Sequence, residues 1–462
     1  MLDLRLSDFS VCIPVNEAGL TLAVNTCWGT SVAISNETAT QLTTHGIQGL
    51  SMATIGTLIQ HCVLTGQTPA QERKIFRQVI VERGKRALSA DVRAYLMPSY
   101  DCNLKCVYCF QHKIRRAMPS TRMSEQTALA AFRYLEAMFH EGTPRGITLY
   151  GGEPLGPDNR PIVEFICSES RRRQFSLMSA THGWNLDQYF DLLGPKNISV
   201  LHVTVDGPQS THDRRRIGPH RGATFERIMA HIEIALSRET RIRMRVNVDA
   251  GVLDKLAEFG SYLEARGLLA NPLFSVYVAP TFATKSQLNS ARAEKTATLI
   301  TESALAKKLG EHPDLARTFG GHPPVYDRIA ALVTGSLPAP AAGHCCYGTR
   351  TIVLDPAGSI YSCVFLAGER EYAVGCYLHP KHKVSNDTSE WIDQGTRRCA
   401  VTECKYALYC GAGSPYDSFA RHGTTISSSC DCSDFESAFA GYVSAAYVKA
   451  LSEGALSDHA AD

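Results

Sequence analysis

Hydrophobic positions recur at different periods along the chain, and the changes of period divide it. Up to about residue 90, short alternating runs over 9–14, 20–25 and 30–34 read as strands, broken at Asn16, Gly19 and Gly29. Helical spacing follows: Ser35 or Asn36 caps a segment through Leu42, and a second segment covers 52–64 ahead of Gly66. From Arg93 the pattern becomes strand, then helix, repeated. Segments 93–97, 146–150, 174–179, 198–205, 241–248 and 273–278 are predicted strands, and each gap between them has room for a crossover helix, as over 224–236 and 253–266. Ser124 is the expected cap of the first of these helices. Six strands in this order predict an α/β fold, a parallel sheet curled into a partial (β/α)6 barrel with its chemistry at the carboxyl ends of the strands.

After residue 280 the pattern shifts again. Segment 290–309 is rich in alanine and lysine with helical character, the glycines and prolines of 320–324 interrupt it, and 325–333 is a further helix before Pro338 and Pro340. Segment 347–363 alternates at a period of two and reads as a hairpin turning at Pro356, Ala357 and Gly358. The expected units are therefore a small N-terminal α+β domain (1–90), the partial barrel (91–280), a helical bridge (281–343), a cysteine-rich domain (344–440) and a C-terminal helix or tail (441–462).

Composition narrows the class of protein. The 462 residues are 44% hydrophobic and 20% charged, ordinary for a globular chain long enough for more than one domain. Lysine and arginine number 47 against 45 aspartates and glutamates, so the overall charge recruits neither nucleic acid nor an anionic membrane. The first eight residues include Asp3 and Asp8 with no apolar run after them, and no stretch of about 18 apolar residues occurs, so a cytoplasmic protein is expected. Sixteen cysteines in a reducing compartment then need an explanation other than disulfides. Cys12, Cys27, Cys62 and Cys167 are scattered and read as small buried side chains, whereas three crowd into 102–109 and nine into 345–432.

Cys102, Cys106 and Cys109 follow the first barrel strand with three residues, then two, between them. Three thiolates are one short of the four that a closed zinc or iron–sulfur site uses, so a cluster here keeps one iron open to a small molecule. Half of a zinc site is the plainer alternative. At the end of the second strand stand Gly151, Gly152 and Glu153, where glycines admit a close approach and a carboxylate accepts from an ammonium group.

With Tyr108 before and Phe110 after its last cysteine, CxxxCxxC resembles the signature of the radical S-adenosylmethionine (SAM) enzymes. The resemblance implies a [4Fe–4S] cluster on Cys102, Cys106 and Cys109. It also implies that SAM binds the open iron through its amino and carboxylate groups and is cleaved to methionine and a 5′-deoxyadenosyl radical. Gly151, Gly152 and Glu153 are then expected to hold the methionine amino group. Tyr108, Thr204 and Asn247 are further expected contacts to SAM. Thr204-Val-Asp206-Gly-Pro208 with His212, Asp213 and Arg216 resembles a segment of the peptide-modifying branch, which makes Asp206 and Asp213 the candidate catalytic carboxylates. Ser179-Ala-Thr-His-Gly183 resembles the turn after the third strand, with His182 where asparagine is usual. The basic run Arg214, Arg215, Arg216, with His220 and Arg221, is expected as a solvated face rather than a grip on an acidic peptide or the SAM carboxylate.

The second cysteine region resembles the SPASM domain, which carries auxiliary clusters: Cys346, eleven residues, Gly358, four residues, Cys363, then Cys399, Cys404, Cys410, Cys430 and Cys432. It departs from that pattern at Cys399 and Cys404, which are not a CxxC pair, and at Ser414, where a cysteine is usual. The resemblance implies one auxiliary [4Fe–4S] cluster on Cys399, Cys404, Cys410 and either Cys430 or Cys432. A second is implied on Cys345 or Cys346 with Cys363, with Cys376 replacing the missing ligand. One or two clusters are expected, with a zinc ribbon on the same cysteines as the alternative.

The N-terminal layout is similar to the winged-helix-like leader-binding domains of peptide maturases, against a purely structural cover. The implied function is a peptide maturase that abstracts hydrogen from a side chain of a ribosomally made precursor, ending in a crosslink or other oxidative change. A formylglycine-generating anaerobic sulfatase maturase is the enzymatic alternative, and a zinc-stabilised adaptor the non-enzymatic one. Expected partners are a precursor peptide or protein and a reductant such as flavodoxin or ferredoxin, with no nucleic acid and no membrane.

Overall fold

A computed structural model describes residues 4–88, 92–118, 121–140, 142–281, 299–300, 302–320, 324–335, 350–379, 403–411 and 432–456. Cys345, Cys346, Cys399, Cys430, Ser414 and half of the alanine-rich segment 290–309 lie outside these residues.

All six expected barrel strands form: Val92–Leu96, Gly146–Leu149, Ser176–Thr181, Ile198–Thr204, Arg241–Val248 and Phe274–Pro280. They are parallel and hydrogen-bonded in sequence order, each beside the next. Alternation along each strand creates two faces. On the fifth strand Ile242, Met244 and Val246 are fully buried with crossover-helix residues such as Ile228, Met229 and Ile232, which leaves Arg241, Arg243 and Arg245 on the opposite, lumen face. Ser124 caps the helix Glu125–Met138, its hydroxyl accepting from the Thr127 amide at 3.1 Å.

The sheet does not stop at the first strand. Arg350–Leu354 adds beside Val92–Leu96 in parallel, and Ser359–Tyr361 and Gly375–Cys376 continue it antiparallel. The hairpin expected at Gly358 is present, but its first strand belongs to the barrel sheet rather than to a detached domain. Tyr100 just ahead of the cysteine loop donates to Asp355 Oδ2 at 2.8 Å, and Phe110 packs on Phe365 with ring centroids 4.9 Å apart.

The N-terminal unit is an antiparallel sheet of Ser10–Val15, Leu20–Asn25 and Thr30–Ser35 followed by helices Asn36–His45, Met52–Gln60 and Pro69–Leu88. Ser35 rather than Asn36 caps the first helix, accepting from the Thr38 amide at 3.1 Å. The helices Glu302–Glu311, Pro313–Phe319 and Pro324–Thr334 pack on the C-terminal helix Cys432–Ser452. That helix opens inside the segment expected to be cysteine-rich. It crosses its neighbour closely enough that a β-carbon on Gly441 would lie 2.5 Å from the Ala306 carbonyl oxygen. Among the described residues no helix is long and apolar enough to cross a membrane.

Candidate active site

The loops at the carboxyl ends of the first three strands lock together. After Leu96 the chain runs through Cys102, Cys106 and Cys109, all free thiols, with Cys106 buried and the other two half-buried. Cys106 pairs antiparallel with Arg216, which fixes the loop to the segment after the fourth strand. The amide of Cys109 donates to the Cys106 carbonyl at 3.2 Å, and the Arg115 guanidinium caps the loop through the carbonyls of Cys102 and Leu104. Burial first, then the nearby Glu153 carboxylate and Cys106, push the Cys102 thiol up to about 12.

Gly151 and Gly152 stand where the motif placed them, and the close approach there comes from the protein's own chain. A β-carbon on Gly151 would lie 2.5 Å from the Ser99 carbonyl oxygen, and one on Gly152 would lie 2.2 Å from those of Tyr100 and Asp101. The φ of 126° at Gly151 also belongs to the glycine region. Glu153 is engaged by donors of the protein itself. Its carboxylate accepts from the Thr181 hydroxyl at 2.6 Å, the His182 amide at 2.8 Å and the Leu155 amide at 3.0 Å. It thereby ties the second loop to the end of the third strand. Burial raises its pKa to about 7 against the pull of these donors.

His182 completes the tie. Its Nδ1 accepts from the Trp184 amide at 3.0 Å, so Nε2 carries the proton and donates to Asn103 Oδ1 at 2.8 Å, inside the cysteine loop. Burial, with Arg216 and Arg115 nearby, holds this imidazole neutral, its pKa well below the usual range. Sequence reasoning missed Asn103 as the partner, because nothing local marks an asparagine between two cysteines.

A second knot joins the fourth and fifth strands to the same loop. The Tyr108 hydroxyl lies 2.6 Å from Arg216 Nη1 and 3.0 Å from Asn247 Nδ2, both of which donate to it. Asp206, fully buried, accepts from the Asn247 amide at 3.2 Å and from Arg215 Nε at 3.2 Å. Arg215 also pairs with Asp249 and lies over the Tyr108 ring, 4.9 Å from its centroid. Tyr108, Asp206 and Asn247 are thus brought together, and Thr204 ends the strand beside them. The expected solvated face of Arg214 to Arg216 is corrected: Arg214 is exposed, but Arg215, at the end of the short helix Gln209–Arg215, is buried on Asp206, and Arg216 is buried where its strand pairs with Cys106.

Asp213, the other candidate carboxylate, meets a helix start. Its Oδ1 accepts from the amides of Thr224 at 2.7 Å and Phe225 at 2.9 Å, capping the helix Phe225–Ser237. It lines a groove with Pro208, Phe225, Glu258 and Tyr262.

Three thiols on one loop are a donor set that a four-iron cluster, which spreads its thiolates over different irons, can use. Arg216 is 6% exposed, and its Nε has no hydrogen-bond partner among the described groups, so a buried cation beside Cys106 awaits an anion. Of the second cysteine set, Cys363 is buried at the end of the hairpin, Cys376 pairs with Ser359, and Cys404 and Cys410 bracket the turn of helix Ala407–Cys410. Cys432 opens the C-terminal helix.

Residues 96–248 match the Radical SAM superfamily. A cysteine-type anaerobic sulfatase-maturating enzyme of Clostridium novyi (strain NT) is 24% identical over 334 residues, 68% of this chain and 85% of that protein. The solved structure of native anSMEcpe with bound AdoMet and Cp18Cys peptide superposes with a TM-score of 0.60 at 15% identity, over 76% of this chain and 96% of its own. Streptococcus suis SuiB bound to the precursor peptide SuiA gives 0.51 at 12% identity, over 92% of this chain and 98% of its own. Residues 96–248 are therefore a radical SAM domain, and the chain is an enzyme with SAM and a [4Fe–4S] cluster as its cofactors.

Proposed function

We propose that this enzyme is a maturase that oxidises a side chain of a ribosomally made precursor peptide, ending in a crosslink. In this reading Cys102, Cys106 and Cys109 hold the catalytic cluster, and Tyr108, Gly151, Gly152, Glu153, Thr204 and Asn247 shape the SAM site. When bound, the cluster and SAM supply a 5′-deoxyadenosyl radical that takes a hydrogen atom from an unactivated C–H bond. Cys363, Cys376, Cys404 and Cys410, with Cys345 or Cys346, Cys399, and Cys430 or Cys432, would carry one or two auxiliary [4Fe–4S] clusters that accept the remaining electron. Flavodoxin or ferredoxin is the proposed reductant.

The protein's own groups do the positioning. The Glu153, His182 and Asn103 chain holds the three loops in one arrangement, and the Tyr108, Asn247 and Asp206 knot fixes the fourth and fifth strand ends against them. Asp206 stays engaged by Arg215 and Asn247, so it acts as a positioning residue. Such rigidity suits a radical that attacks most C–H bonds and must be kept from water and stray side chains.

The observation that carries the peptide reading is the N-terminal unit, a sheet and three helices beyond the barrel. The superposition on SuiB, solved with a precursor peptide, takes in 92% of the chain against 76% for anSMEcpe. The second reading, formylglycine formation in a protein partner, is favoured by the Clostridium novyi relative and the higher TM-score with anSMEcpe.

Iron and sulfide in anaerobically reconstituted protein, followed by a dithionite-driven assay for 5′-deoxyadenosine, test the assignment. About twelve irons per chain, falling to about eight in Cys102→Ala/Cys106→Ala/Cys109→Ala with loss of SAM cleavage, mean two auxiliary clusters; about eight falling to about four mean one. Zinc without iron sinks the proposal. Mass spectrometry of a cysteine-containing peptide after turnover separates the readings: loss of a pair of hydrogens with sulfur retained marks a crosslink, and loss of a pair of hydrogens together with exchange of sulfur for oxygen marks formylglycine.

A further inference from the structure

The lumen face of the fifth strand is a column of arginines. Arg241, Arg243 and Arg245 alternate with the buried Ile242, Met244 and Val246, so their side chains stack down one wall at about 6.6 to 6.8 Å per step. Arg243 lies between His202 and Ser275, and Arg245 between Thr204 and Tyr277. The wall leads to the active site: Arg245 Nε donates to Asn247 Oδ1 at 2.8 Å, and Asn247 donates to Tyr108 of the cysteine loop. On the first strand Arg93 alternates with the buried Val92 and Ala94 and shares the lumen face with Tyr95.

Among the described residues no carboxylate neutralises these cations. Arg93, Arg241 and Arg243 are exposed and make no ion pair with a carboxylate among the described residues. The carboxylates at the barrel mouth are occupied: Asp206 and Asp249 by Arg215, Glu153 by Thr181 and His182. Arginine does not deprotonate in proteins, so the column keeps its charge at any working pH. A merely solvated strand would not need three guanidinium groups in one file facing the lumen.

We propose that this wall binds an acidic segment of the peptide substrate, with aspartates or glutamates at alternate positions; this rests on the maturase reading. An extended peptide laid along the fifth strand repeats its side chains at the strand's own period, so carboxylates at i and i+2 meet Arg241 and Arg243. Guanidinium and carboxylate are matched for paired hydrogen bonds, which gives register as well as attraction. The residue two or more positions further along is then carried past Arg245 to the cysteine loop.

Fluorescence anisotropy on the anaerobic holoenzyme with SAM tests this. The probes are two fluorescein-labelled peptides of one sequence, carrying either Glu or Gln at alternating positions. The Glu peptide is expected to bind about tenfold more tightly, and the preference to shrink as salt is raised. Arg241→Gln/Arg243→Gln should abolish the preference and Arg241→Lys/Arg243→Lys retain part of it, while Arg171→Gln/Arg172→Gln on an outer helix leaves it intact. Equal binding of the two peptides by the wild type, or a preference that survives Arg241→Gln/Arg243→Gln, overturns the proposal. Should the Gln variant fail to fold, as judged by circular dichroism, the Lys variant decides, since an unchanged preference there also counts against bidentate recognition. Absence of 5′-deoxyadenosine formation by the wild type would remove the maturase reading instead, independently of the binding data.

Discussion

A β-carbon on Gly152 would lie 2.2 Å from the carbonyl oxygen of Asp101, the residue immediately before Cys102. Atoms in van der Waals contact stand about 3.5 to 4.0 Å apart, so the glycine is required by the cysteine loop's own backbone. Gly152→Ala should push the two loops apart by about 1 Å, and displacement on that scale near reacting atoms costs on the order of 100-fold in rate. The expected outcome is folded protein with 5′-deoxyadenosine formation reduced by about that factor. Gly56 provides the contrast: it sits in the helix Met52–Gln60, and a β-carbon there would meet nothing within 4 Å. Gly56→Ala should therefore stabilise the fold by about 1 kcal/mol in urea titration.

Asp213 tests the distinction between catalysis and capping. Because its carboxylate accepts from the amides of Thr224 and Phe225, Asp213→Ala should cost about 1 kcal/mol of stability. Asp213→Asn, which retains an acceptor, should recover most of it. Neither change should alter the rate of SAM cleavage measured well below the melting temperature. A large fall in that rate with both variants would return Asp213 to the chemistry.

The same residue shows what was legible in the sequence and what was not. The barrel strands could be read because each carries its own two-residue alternation, and the cysteine and glycine motifs because their chemistry lies within a few consecutive positions. Asp213 caps a helix beginning twelve residues later, and no local pattern records that contact. The strand Arg350–Leu354 pairs with Val92–Leu96 across more than half of the chain, so its segment looked like the start of a separate unit. Arg214, Arg215 and Arg216 form a uniformly polar run, and only tertiary contacts, Arg215 with Asp206 and Arg216 with the cysteine loop, separate the exposed first from the buried other two.

His212 gives a pH dependence with a definite sign. Its Nδ1 accepts from the Asp206 amide at 3.1 Å while Nε2 faces the Thr224 hydroxyl at 3.1 Å, so a second proton would set N–H against N–H. Burial above all, with Arg216 beside it, lowers its pKa to about 4. Below pH 6.5 the unfolded chain takes up this proton and the native state does not until about pH 4, so stability falls as pH drops through that window, by up to about 3 kcal/mol. Glu153, raised to about 7, works in the opposite sense between 4.5 and 7, since there the native state holds the extra proton. His212→Gln should therefore lower the slope of unfolding free energy against pH between about 4.5 and 6.5 by about 1.4 kcal/mol per pH unit. Urea midpoints collected across that range measure it, and an unchanged slope would contradict the buried neutral imidazole.

Tyr108 separates a cofactor contact from an anchor. Its hydroxyl is the acceptor for Arg216 Nη1 at 2.6 Å, and the Nε of the same buried guanidinium has no partner of its own among the described groups. Removing the hydroxyl in Tyr108→Phe takes away a hydrogen bond to a charged group that water cannot readily replace, a loss of about 2 kcal/mol. Asn247 Nδ2 loses its shorter bond at the same time and keeps only the 3.4 Å contact to Asp206. Since all of these groups hold the cysteine loop against the fourth and fifth strands, the variant should unfold at lower urea while retaining its iron at low temperature. If Tyr108 served SAM alone, stability would stay at the wild-type value and only the affinity for SAM, measured by equilibrium dialysis, would fall. A loss in both, with the stability term near 2 kcal/mol, is the outcome expected of a residue that anchors the loop and borders the site.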